Sequence, residues 1–266
     1  MAEDDGSNPN PLSGLDDSDL RANVYEGGYK TWECSIDLAR YLLDHSVDAG
    51  HVVELGCGSA VPSLVLFRSA LKGKGGGRRF TLTDYNADVL RCVTVPNLLL
   101  AWVGGLGEDE SKEVFPESGN PLLRKEEENG DLYLTPEVIG GFQKALSSAV
   151  ISLTLLSGSW SPVPILLDLI PSTPELDTFI LGSETIYSPA SLEAFVETIT
   201  ALMKRVETAK TLVAAKRVYF GVGGSVDGFR AACVERGCVA NEVEFEGLGG
   251  ESEGGVRRCL IEVRLF

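Results

Sequence analysis

His51-Val-Val-Glu-Leu55 is a short apolar run that passes directly into the turn Gly56-Cys-Gly-Ser59, and a helical pattern follows from about Ala60 to Leu71. A strand, a glycine turn and a helix in that order open a βα unit. The glycine-rich stretch Gly73 to Gly77 is the stop signal for that helix, and Phe80-Thr-Leu-Thr83 reads as the next strand. The alternation then recurs. Strands are expected at Val150 to Leu156, Asp177 to Leu181 and Thr211 to Phe220, and helices near Pro136 to Ser147, Ser191 to Arg205 and Ser225 to Arg236. Such alternation with short loops predicts an α/β fold with a mostly parallel sheet and helices on both faces. The last two runs, Val239 to Phe245 and Arg257 to Leu265, have only the glycine-rich Gly247 to Gly255 between them. They predict an antiparallel C-terminal hairpin at one sheet edge. A seven-stranded, Rossmann-like sheet with that ending is a methyltransferase sheet and not an ordinary dinucleotide-binding one.

Two stretches fall outside this pattern. Residues 1–22 are acidic and polar, the composition of a disordered arm, which leaves 23–266 as one domain. From Gly104 to Asp131, Gly, Pro, Ser and charge runs such as Glu126-Glu-Glu128 predict a mobile surface insertion.

Ligands of open α/β sheets bind at the carboxyl ends of the strands. Glu54-Leu-Gly-Cys-Gly58 lies at the first such end, and Gly56 and Gly58 permit a close backbone approach. A dinucleotide enzyme would be expected to carry a third glycine at 61, where this chain has Val61. The turn therefore suits a cofactor without a pyrophosphate, such as S-adenosyl-L-methionine. Asp84 ends the second strand, the usual place for a carboxylate that binds ribose hydroxyls; capping of the next helix is the competing role, with Asn86 as a rival cap. Gly158-Ser159-Trp160 ends the following strand, where an indole can flank an adenine or simply join the core.

The 266 residues sum to a formal charge of −16, which argues against nucleic-acid binding and suits either simple solubility or a basic protein partner. Six scattered cysteines without a CxxC pair, and only two histidines, offer no familiar zinc spacing and read as a reduced intracellular chain. The start lacks a basic segment followed by an apolar one, and no apolar run is long enough for a membrane span. His45 and His51 are expected to be packing or surface residues.

Longer motifs carry a more specific likeness. Tyr25-Glu-Gly-Gly-Tyr-Lys-Thr-Trp-Glu-Cys-Ser-Ile-Asp-Leu38, Asp84-Tyr-Asn86 with Val93-Thr-Val-Pro-Asn97, Ser183-Glu-Thr-Ile-Tyr187 and Lys216-Arg-Val-Tyr-Phe-Gly-Val-Gly-Gly224 resemble segments of eukaryotic protein-histidine N-methyltransferases. That family is methyltransferase-like family eighteen, with histidine protein methyltransferase one as its fungal form. The likeness runs from about Tyr25 to the C-terminus and departs from the family by the acidic insertion after Trp102 and by a short N-terminal arm. It implies S-adenosyl-L-methionine as cofactor and, as substrate, a histidine of a large-subunit ribosomal protein, the third in standard naming. It also implies a cytoplasmic and nuclear monomer without direct nucleic-acid or membrane contacts. Cofactor contacts are expected from Trp32, Glu33, Cys34, Ser35, Glu54, Gly56, Gly58, Asp84, Tyr85, Asn86, Gly158, Ser159 and Trp160. Glu33, Glu184 and Tyr187 are candidates for the catalytic groups, and Lys216, Tyr219, Gly223 and Gly224 for a lip along which the substrate passes. The alternatives are a protein-lysine methyltransferase and a non-catalytic ribosome-assembly chaperone on the same fold.

Overall fold

A computed structural model describes residues 27–73, 77–123, 130–246, 248 and 256–266. The expected arm at 1–22, with Tyr25 and Glu26, most of Gly247 to Gly255, and 124–129 of the insertion lie outside the described residues.

Helix α1 (Glu33–Asp44) precedes β1 (His51–Leu55), α2 (Val61–Lys72) and β2 (Arg78–Asp84). One continuous helical run follows: α3 (Ala87–Val89), a π-helical turn (Leu90–Thr94) and α4 (Val95–Val103). Then come α5 (Glu108–Val114), a 3-10 turn (Pro121–Leu123), α6 (Pro136–Ser148), β3 (Ile151–Ser157), α7 (Val163–Leu169) and β4 (Thr178–Ser183). The chain closes with α8 (Pro189–Met203), β5 (Ala209–Lys216), α9 (Val226–Glu235), β6 (Cys238–Val243) and β7 (Arg258–Leu265).

The seven strands form one sheet in the order β3-β2-β1-β4-β5-β7-β6. The first five are mutually parallel, and β7 inserts antiparallel between β5 and β6. This is the expected mixed sheet with its C-terminal hairpin. Because the chain winds outward from β1 to β3 and then returns to the other side at β4, the switch point lies between β1 and β4, where the strand ends open a crevice. Alternate residues feed two cores. Val52, Phe80, Leu82 and Leu181 pack with Leu38, Phe67 and Leu98 on one face. Val53, Leu55, Ile180 and Val213 pack with Phe195, Ile199 and Phe229 on the other. A sheet covered on both faces needs strands that are apolar at nearly every position, and all of β1 is buried.

The strand Thr211 to Phe220 ends sooner than expected, at Lys216, where β5 loses its β7 partner. Arg217 to Phe220 instead enter a turn closed by an isolated bridge between Val218 and Ser225. The helix through Leu90–Val103 has no counterpart among the sequence expectations, because Pro96 breaks its pattern. A proline within a helix lacks an N–H and crowds the carbonyl one turn back. The wider π-helical turn immediately before it is where such a mismatch is absorbed.

The stretch expected to be a mobile surface insertion holds a helix and buried residues among those described. Helix α5 occurs within it, Val114 and Phe115 are buried in the first core, and the buried Asn120 side chain donates to the Val103 carbonyl and the Ser111 hydroxyl. Charge runs had concealed an amphipathic helix whose apolar edge is only two residues wide. If Phe115 is part of the core, Phe115→Ala should lower unfolding free energy by about 3 kcal/mol, the usual cost of truncating a buried phenylalanine. An unchanged urea midpoint would show instead that the segment rides loosely on the surface.

Candidate functional site

The crevice at the switch point is a cavity of about 530 Å3, within the range of small-molecule sites. Its floor is the Gly56–Ser59 turn. Neighbouring elements supply partners for the backbone of that turn. Gly58 N–H donates to Asp84 Oδ2 at 2.9 Å, and Cys57 N–H to the Thr83 carbonyl at 2.8 Å. The Gly58 carbonyl accepts from Thr94 Oγ1 at 2.7 Å and the Ser59 carbonyl from Asn97 Nδ2 at 2.9 Å. Thr94 and Asn97 therefore explain the Val93–Asn97 motif: they clamp the turn from above. Gly58 sits at φ +49, and a Cβ there would meet the Gly28 carbonyl at 3.2 Å, so only glycine lets the Gly27–Gly28 stretch of chain lie across the turn.

Two buried carboxylates organise this floor. Glu54 Oε2 accepts from Ser63 N–H in the first turn of α2 at 3.1 Å, and so caps a helix whose N-cap, Ala60, has no side-chain oxygen. Burial raises the Glu54 carboxyl to about 7; the Ser63 hydrogen bond opposes this and the charge of Asp84 adds to it. Asp84 lines the cavity, but its carboxylate accepts Gly58 N–H and Asn86 N–H, the latter at 3.0 Å. Capping of the next helix falls to Asn86, whose Oδ1 accepts from Asp88 N–H at 3.0 Å.

The walls come from strand ends and α1. Trp32, Ser35, Tyr85, Gly158, Ser159 and Trp160 line the cavity, as do Glu184, Tyr187, Lys216 and Tyr219. Trp160 is both wall and core: its ring packs 5.7 Å from Phe195, and its Nε1 donates to Thr83 Oγ1 at 3.4 Å. Lys216, at the end of β5, places Nζ 3.3 Å from Glu33 Oε2, 3.4 Å from Glu184 Oε1 and 5.0 Å from the Trp32 ring centroid. Burial works against the Lys216 charge, yet the carboxylates of Glu184 and Glu33 outweigh it and raise its pKa. Glu33 is lowered: burial would raise it, but the N–H groups at the start of α1 and the Lys216 ammonium prevail.

Several expected site residues lie elsewhere. Cys34 is wholly buried in the first core, its thiol pushed up by burial and by the nearby charge of Glu184, so it does not line the cavity. Glu54 and Asn86 support the cavity without lining it. Gly223 and Gly224, expected at a substrate lip, are not in the cavity lining and sit in the turn after β5. Gly224 N–H donates to the Tyr187 carbonyl, and a Cβ at this position would lie 2.0 Å from the Ile186 carbonyl oxygen. A valine there would push the turn apart and lower stability as well as activity. The residues that do overhang the cavity from this turn are Val218, Phe220 and Val222, with Phe220 78% exposed. Sequence reasoning passed over them because it followed the glycines; the two-residue alternation around the buried Tyr219 was the available signal. Gly27, Gly28, Lys30, Ser183 and Thr185 also line the cavity and were not expected. His51, buried at the far end of β1, bonds Thr81 Oγ1 through Nε2 at 2.8 Å and takes no part.

No protein-family model matches the chain. Among curated proteins, it is 40% identical over 252 residues to Histidine protein methyltransferase 1 of Saccharomyces cerevisiae, covering 87% of this chain and 64% of that protein. The Schizosaccharomyces pombe protein of the same name is 39% identical, with 79% of this chain and 57% of the relative covered. A Bos taurus homolog is 32% identical, with 92% and 57% covered. The chain is similar to these histidine protein methyltransferases. It spans less than two thirds of the length of these relatives. Similar solved structures include a TehB-like SAM-dependent methyltransferase from Corynebacterium glutamicum, 11% identical with a TM-score of 0.46 over 86% of this chain and 88% of that one. Another is the glycopeptide N-methyltransferase MtfA complexed with (S)-adenosyl-L-methionine, 9% identical with a TM-score of 0.47 over 93% and 100%. The strand order defines the fold of this chain independently of those alignments.

The buried Glu54 gives the floor a pH signature. Between about pH 4.5 and 7 the folded chain holds a proton that the unfolded chain has released, so stability falls as pH rises through that window. Glu54→Gln should flatten this part of the stability curve, and the wild type should lose ground to it steadily from pH 4.5 to 7. Parallel curves for the two proteins would mean that Glu54 is ionised throughout.

Proposed function

We propose that this chain is an S-adenosyl-L-methionine-dependent protein-histidine N-methyltransferase acting on a basic protein, with a large-subunit ribosomal protein as the substrate in the cytoplasm and nucleus. The observation that carries the reading is the 40% identity to a histidine protein methyltransferase across 87% of the chain. The cavity supports it chemically. A close-approach glycine turn, a carboxylate at Asp84 and an indole at Trp160, all in the cavity lining, suit a molecule with a ribose diol and an adenine. The Trp32 and Glu184 side of the cavity suits its amino-acid end and the acceptor side chain.

When bound, the cofactor supplies a methyl group on a positively charged sulfur. The work left to the protein is placement. A neutral imidazole, with a pKa near 6.5, is already nucleophilic at neutral pH. Holding one ring nitrogen in line with the methyl can contribute on the order of 7–11 kcal/mol. The methylated ring must then lose a proton. Glu184, which lines the cavity, would hold the other ring nitrogen and receive that proton. Tyr187, on the same segment, lines the cavity beside it. A lysine acceptor would require its ammonium to be deprotonated first, a step that a neutral imidazole does not need.

Tritiated methyl transfer onto purified ribosomal proteins, with mass spectrometry of the product, tests the reading directly. Methylation confined to a histidine is the expected result; methyl-lysine, or binding without turnover, would replace it with one of the two alternatives. The lip makes a narrower claim. Phe220→Ala should raise KM for the protein substrate about tenfold, the scale of truncating one aromatic anchor in an interface, with cofactor affinity and melting temperature unchanged. An unaltered KM would remove the lip from substrate docking.

A further inference from the structure

The Lys216 ion pairs do more than close a salt bridge on the surface. Glu184 is a non-glycine residue at φ +57, held there as its N–H donates to the Ala214 carbonyl beyond the end of β4. Its side chain is only 9% exposed and lines the cavity, with Oε1 lacking a hydrogen-bond partner among the described residues. Backbone strain retained at a cavity wall points to a positioned group. Glu33 approaches Lys216 from the first turn of α1, outside the cavity lining. The two carboxylates, Glu184 in the wall and Glu33 outside it, would by themselves form an ammonium site. Lys216 occupies that cation position, 3.3 Å and 3.4 Å from the two acids, with the Trp32 ring beneath it. Its own backbone is fixed, since Lys216 N–H donates to the hydroxyl of the buried Tyr219 at 3.2 Å.

We infer that Lys216 is a specificity-determining residue: within the cavity lining its ammonium balances the Glu184 carboxylate, so the cavity accepts a neutral imidazole and turns away a lysine ammonium. This rests on the histidine reading of the same cavity. The uncharged ring needs only an acceptor for its N–H, which the Glu184 carboxylate in the cavity wall provides. A second ammonium would either stand within a few ångströms of Lys216 or have to displace it, and like charges at that distance in a partly buried site repel strongly. A purely structural strut between α1 and β4 would have no such selectivity.

Side-chain mimics separate these accounts without requiring turnover. 4-Methylimidazole and n-butylammonium are titrated at about pH 7.5, where the imidazole is largely neutral, by NMR into the protein saturated with S-adenosylhomocysteine, alongside melting temperatures. The wild type should prefer the imidazole at least tenfold, Lys216→Met should reduce that preference at least tenfold, and Lys216→Arg should keep it. Lys216→Gln serves where the methionine variant melts below the assay temperature. A preference that survives loss of the cation overturns the inference, as does loss of preference in the arginine variant. Histidine methylation by the wild type is scored separately. Its absence with the charge effect intact would defeat the functional reading alone, and its presence with an unchanged preference would defeat the inference alone.

Discussion

Much of this molecule hangs on two N–H groups and the carboxylates that receive them. Gly58 donates to Asp84 and Ser63 to Glu54, both acids standing at strand ends and both buried. A buried N–H left without a partner costs about 1–3 kcal/mol, and a glycine turn has no side chains with which to help itself. The acids therefore do for the turn what an N-cap residue does for a helix. Because β1 and β2 pair in parallel register, Leu55 with Thr83, the end of one strand is always beside the turn that leaves the other. Asp84 can reach Gly58 only in that register. The sheet thus places the acids, the acids hold the turn, and the turn sets the floor on which Gly28, Thr94 and Asn97 converge.

The same bonds explain what could and could not be read from residues alone. β1, its glycine turn and α2 were legible because apolar run, glycine pair and helical spacing agree. Asp84 was legible as a cavity residue, while its bonds to Gly58 and Asn86 depend on where a distant turn lies, which spacing does not report. The helix through Pro96 was lost to a local rule that a π-helical turn overrides. Val114 and Phe115 were lost for the opposite reason: their apolar signal is short and is preceded by Glu108, Asp109 and Glu110, so composition spoke louder than pattern. Cys34 lay in a motif that does line the cavity, but Trp32 and Ser35 face it and Cys34 does not, a helical phase that motif likeness ignores.

Charge reads differently at the two scales. The chain is acidic overall, with a net −16, which favours a basic partner at long range. Inside the cavity the balance is local and nearly closed. Lys30, Lys216, Asp84 and Glu184 line the cavity, and Lys216 also pairs with Glu33 outside the lining. Long-range attraction for a basic polypeptide therefore need not become attraction for an ammonium at the point of reaction. A surface that gathers cationic segments and a cavity that prefers an uncharged ring are compatible because screening removes the first field within about 8 Å at physiological salt, whereas the second acts by contact.

The rim ties that contact chemistry to the substrate's approach. After β5 leaves the sheet at Lys216, the strand period continues for a few residues without a ladder, so Tyr219 turns inward while Val218, Phe220 and Val222 turn out over the cavity. One exposed apolar residue is ordinary on a protein surface; three on one turn, all at the mouth of a cavity, form a patch with a direction. That turn is not a free flap. Gly224 N–H is bonded to the Tyr187 carbonyl, and the absence of a Cβ at 224 is what allows the two backbones to touch. The apolar rim is therefore fastened to the segment that carries Glu184 and Tyr187, and Lys216 begins the same turn at its other end. A polypeptide held by Phe220 would be held at a fixed offset from Glu184, so docking and alignment of the acceptor ring become one geometric event and not two independent ones.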